Sequence, residues 1–87
     1  MIEAEINATA DFKFRKETYK DDYLTMQHVV SKENGQIYER VIMTSQYFND
    51  TSIKGSEKAD KMRNEIKAGA PCFSRRDTSD YIDVYFA

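Results

Sequence analysis

An antiparallel α+β fold is the class this sequence predicts, on three observations. Period-two alternation of apolar and polar residues marks both ends of the chain. An Asn-Gly pair, Asn34-Gly35, sits inside a long alternating run from Tyr23 to Phe48. One helical-period stripe lies between Ser56 and Gly69. With 87 residues the chain is a single domain, 1–87.

The elements follow in order. Ile2, Ala4 and Ile6 alternate with Glu3, Glu5 and Asn7, which predicts a half-buried strand. Phe12 and Phe14 alternate with Asp11, Lys13 and Arg15, either as the bent continuation of that strand or as a second one. Asp21 and Asp22 end the pattern. Asn34-Gly35 favours a two-residue hairpin turn. That turn would set Met26 against Met43 and Val29 against Arg40. One face of the hairpin then carries Leu24, Met26, His28 and Val30. The other mixes Tyr38 and Ile42 with Gln27 and Arg40, the composition of an open sheet face.

Ser56 suits a helix N-cap, Glu57 the first turn and Gly69 the C′ position. Ala59, Met62 and Ile66 form one narrow apolar stripe, so the helix packs by one side on the sheet. Cys72 and Phe73 predict a short strand ended by Arg75, Arg76 and Asp77. Ile82, Val84 and Phe86 alternate with Tyr81, Asp83 and Tyr85, a final strand apolar on both faces and therefore central or covered. Two plans carry this element order. One is an OB-like five-stranded barrel with one helix between the third and fourth strands. The other is a plain curled antiparallel sheet with one helix.

Composition points away from chemistry. Cys72 and His28 are the single cysteine and histidine, too few for a Cys/His zinc site or an intrachain disulfide; an all-carboxylate metal site stays open, but the Asp and Glu residues are scattered without calcium-loop spacing, and neither metal nor other cofactor is expected. Cys72 reads as a small buried hydrophobe, and His28 as structural. No Gly-rich phosphate loop and no carboxylate pair in a recognisable cleft suggest an enzyme. The start of the chain lacks a signal-peptide pattern, and no apolar run approaches the ~20 residues of a membrane span. A cytoplasmic, non-enzymatic binding protein is the expectation.

The net charge is -2, but it is unevenly placed. Residues 50–76 carry seven basic and four acidic groups, and residues 77–87 carry three aspartates. Basic residues interleaved with rings suit single-stranded nucleic acid, where cations track phosphates and rings stack bases. The candidate residues for that role are Lys13, Arg15, Tyr38, Arg40, Ile42 and Arg75. The alternative is a small protein-binding inhibitor or regulator, of phage, antitoxin or immunity type, docking through Tyr81, Asp83 and Tyr85. The final strand could also pair with its own copy as a homodimer. The opening MIEAEI and the chain length are similar to those of small phage single-strand-binding proteins; the likeness spans a few residues and assigns none of them a role.

Overall fold

The computed structural model describes residues 11–87. The strand expected over Ile2, Ala4 and Ile6 lies outside them. Five strands and two helices follow one another: β1 (Phe12–Lys20), β2 (Leu24–Ser31), β3 (Ile37–Thr44), α1 (Ser45–Asn49), α2 (Glu57–Lys67), β4 (Ser74–Asp77) and β5 (Tyr81–Phe86). The strands form one antiparallel sheet in the order β1-β2-β3-β5-β4. The longer helix falls between the third and fourth strands, as expected. The OB-like barrel does not form. Among the described residues β1 and β4 are the two edges of the sheet, with no ladder between them.

The hairpin pairs two residues out of the expected register. Leu24 faces Met43, Met26 faces Val41 and Gln27 faces Arg40. The cause lies in the turn. Ser31 Oγ accepts from the Glu33 and Asn34 N–H groups, Asn34 Oδ1 accepts from Gln36 N–H, and Gly35 takes φ 73°. These bonds stabilise a four-residue loop, Lys32 to Gly35, in place of a two-residue turn. A slip of two keeps every side chain on its expected face.

On one face Leu24, Met26, Val41, Met43, Ile82 and Val84 meet Tyr47 and Phe48 of α1 and Ala59 and Ile66 of α2. Ser56 caps α2 by accepting from Ala59 N–H at 3.0 Å, and Gly69 ends it at φ 86°. The alternating run carries the strand on through Phe48, but α1 replaces its end. Thr44 Oγ1 accepts from Tyr47 N–H and turns the chain there, which buries Tyr47. The buried stripe of α2 also includes Arg63, whose Nη1 donates to Ile53 O at 2.8 Å.

The opposite face is also buried, contrary to the open face expected of Gln27, Tyr38, Arg40 and Ile42. The sheet covers it by curling on itself. Phe12 of β1 stacks on Tyr85 of β5 with ring centroids 4.5 Å apart. Three strand spacings separate these strands, so a flat sheet would hold them about 14 Å apart. Register shifts at Phe14/Lys16 and Glu17/Tyr19 give β1 the bend this requires. Strand β5 lies between β3 and β4, the interior place its two apolar faces predicted.

Candidate binding surface

Tyr38, Arg40 and Ile42 do not form an open hairpin face. Arg40 is 1 % exposed. Its Nε and Nη2 donate to the two carboxylate oxygens of Asp83 at 2.9 and 2.7 Å, and Nη1 reaches Gln27 Oε1 at 3.4 Å. Its guanidinium also lies 5.4 Å from the centre of the Tyr85 ring. Ile42 is buried opposite Asp83. Tyr38 is buried against Phe12, with ring centroids 5.3 Å apart. These residues serve the interior of the curl.

The remaining basic candidates scatter. Arg75 holds Asp77 through two bonds of 2.8 and 3.0 Å and lies over the Phe48 ring, on the helix-bearing side of the sheet. Lys13 pairs opposite Val30, and Arg15 sits at a β1 bulge; both are exposed. The Tyr/Asp surface does not form either, because Tyr81, Asp83 and Tyr85 are all buried. An interior β5 likewise leaves no edge for pairing with its own copy.

What the fold assembles is an aromatic cluster with an open end. Phe12, Tyr38 and Tyr85 form its buried base with Val29. Phe73 leans on this base, 4.9 Å from Tyr38 and 6.0 Å from Phe12 between centroids, yet stays 59 % exposed. Phe14, opposite Val29 on the same face, is 39 % exposed. Arg76, opposite Asp83, places an exposed guanidinium on that face, and Arg15 follows Phe14 in the chain. Phe12 and Phe14 share a face as their spacing predicts. The sequence pattern does not show that Phe73 is exposed or that Arg76 lies on its face. The expected strand begins at Cys72 and Phe73 and ends at Arg75; β4 instead begins at Ser74 and includes Arg75, Arg76 and Asp77. Cys72, expected in the core, is exposed beside it.

A second polar cluster fixes α2 to the sheet. Asp21 accepts from the Tyr19 hydroxyl at 2.6 Å and from the Tyr23 and Leu24 N–H groups at 2.8 and 2.9 Å. Partial burial raises its pKa, but these bonds and one from Ser56 outweigh that and hold it below the ordinary carboxylate value. The Tyr47 hydroxyl donates to Asp60, which also accepts from Gly55 N–H at 2.9 Å. Those bonds lower Asp60, while burial and then the Asp60 bond raise Tyr47. Nearby, a cleft of about 410 Å³ is lined in part by Asp21, Asp22 and Asp80. Its carboxylates make it a poor seat for a polyanion.

Among the described residues no group of three His, Cys, Asp or Glu stands close enough to hold a metal ion. No helix among them is long and apolar enough to cross a membrane. Comparison with family models, curated proteins and solved structures finds no match to this chain.

Proposed function

We propose that the protein binds single-stranded nucleic acid through the open end of its aromatic cluster. The observation that carries this reading is the exposure of Phe73 and Phe14 on the face that also presents Arg76. Phe73, held on the packed aromatic base, is preorganised for stacking, and Phe14 stands exposed on the same face. Bases in a duplex are already stacked on their neighbours and cannot use them. Arg76, on the face of the rings, and Arg15, at the β1 bulge next to Phe14, supply the phosphate contacts. The protein as a whole is acidic, so the few local cations set the salt dependence, and binding rests mainly on the rings.

Fluorescence anisotropy of a labelled thymine oligonucleotide tests this, with a matched duplex as control and salt as the variable. The expected result is single-strand binding with a shallow slope of log affinity against log salt, about -0.7 for each phosphate neutralised. Equal affinity for the duplex, or no binding at high micromolar protein, overturns the reading.

A further inference from the structure

Strand β4 ends the sheet. Its four residues are all exposed, and among the described residues no strand pairs with its outer side. The Thr78 N–H donates to Tyr81 O at 2.9 Å where the β4–β5 hairpin turns. Hydrogen-bonded and non-hydrogen-bonded pairs alternate along an antiparallel ladder. Counting back from Thr78, Arg76 directs its backbone groups toward Asp83, while Arg75 and Asp77 direct theirs away from β5. An edge of this kind is a template for another strand.

We infer that the strand completing it belongs to a second copy of this chain, paired antiparallel through β4 about a two-fold axis at Arg76. In this register Arg75 stands opposite the partner's Asp77, and Asp77 opposite the partner's Arg75. Both are hydrogen-bonded pairs, so the outward N–H and C=O groups of both residues are satisfied. Charge favours this register, because its two Arg75–Asp77 pairs outweigh the one like pair at Arg76, whereas a slip of two has a like pair and no opposite one. A slip of two residues one way sets Arg75 against the partner's Arg75, and the other way sets Asp77 against the partner's Asp77. Like charges directly opposite are destabilising, and opposite charges are favourable. Arg75 and Asp77 already grip each other within one chain while remaining 35 % and 51 % exposed, so the dimer gathers their charges into one alternating cluster.

At the axis Arg76 lies opposite the partner's Arg76, on the same face as Phe14. These two guanidiniums repel until an anion lies between them. A nucleic-acid phosphate there would let one strand run across both aromatic clusters. This last step rests on the proposed function; the strand pairing does not.

Sedimentation equilibrium of the full chain tests the pairing. The mass is expected to rise from 10.2 kDa toward twice that value between micromolar and millimolar protein. Asp77→Arg should hold the chain monomeric, and the exchange Arg75→Asp with Asp77→Arg should restore the dimer. Arg76→Ser should tighten the dimer several-fold without oligonucleotide and abolish the tightening that a thymine oligonucleotide gives the parent. A parent mass that stays monomeric, or a dimer indifferent to Asp77→Arg, overturns the pairing. An oligonucleotide that binds neither monomer nor dimer overturns the nucleic-acid reading and leaves the pairing standing.

Discussion

Arg40 on β3 and Asp83 on β5 form a two-pronged ion pair inside the curl of the sheet, with side chains 1 % and 3 % exposed. Gln27 on β2 supplies a further oxygen to the same guanidinium. The pair therefore ties three adjacent strands on the face opposite the one that α1 and α2 cover. Its net value is modest, because both charges lose their water, but breaking it strands one charge in the interior.

Asp83→Leu or Arg40→Met alone should destabilise the fold by about 3–5 kcal/mol. The double variant should cost less than either single change. Urea unfolding of the three proteins checks this. A double variant at least as damaged as the worse single would contradict it.

Gly55 is where the chain passes the Tyr47 ring. A Cβ there would lie 2.9 Å from the Tyr47 hydroxyl and 3.3 Å from the ring itself. The ring cannot yield freely, because it stacks on Tyr23 at 4.9 Å and carries the Arg63 guanidinium at 4.4 Å. Gly55→Ala should cost about 1–3 kcal/mol by overpacking, read as a lower urea midpoint with an unchanged slope.

Asp21 and Asp60 have folded pKa values below the ordinary carboxylate value. Their contribution to stability is full above that value, about 3.9, and is lost as pH falls below it through the folded values. Tyr47 is shifted upward, so its contribution is full below about pH 10 and is lost as pH rises beyond it. Urea midpoints against pH should show both limbs. Tyr47→Phe should shrink the alkaline limb, leaving the part carried by Tyr19, whose bond to Asp21 also raises it, and should weaken the acid limb; an unchanged alkaline limb would assign that loss to another group.

Cys72 is exposed next to Phe73. It should react fully with a thiol reagent in the native protein, as fast as in urea to within a few-fold. Protection lifted only by denaturant would place the thiol inside. Covering Phe73 with a bound oligonucleotide should slow the reaction.

Local chemistry was legible where it acts locally. Ser56 and Gly69 mark the ends of α2, and alternation in Leu24–Val30 assigns the faces of β2. The hairpin register was not, because Ser31 competes for the turn N–H groups that a two-residue loop would leave elsewhere. The curl of β1 was illegible for another reason. Its sign is the contact between Phe12 and Tyr85, residues far apart in the chain that no periodicity connects. Reading the sheet without its curl leaves Tyr38, Arg40 and Ile42 open to solvent. Adding the curl buries them and leaves Phe73 and Phe14 as the exposed rings.

Those two rings carry the central claim, and the most direct measurement compares the parent with the Phe14→Ala/Phe73→Ala double variant in binding a labelled single-stranded oligonucleotide. Neither ring is deeply buried, so a far-UV spectrum and urea midpoint close to those of the parent should accompany the change. Loss of one stacked base weakens binding by about 1–3 kcal/mol, so the double variant should bind at least tenfold more weakly. Parent-like affinity in a folded double variant would contradict the account.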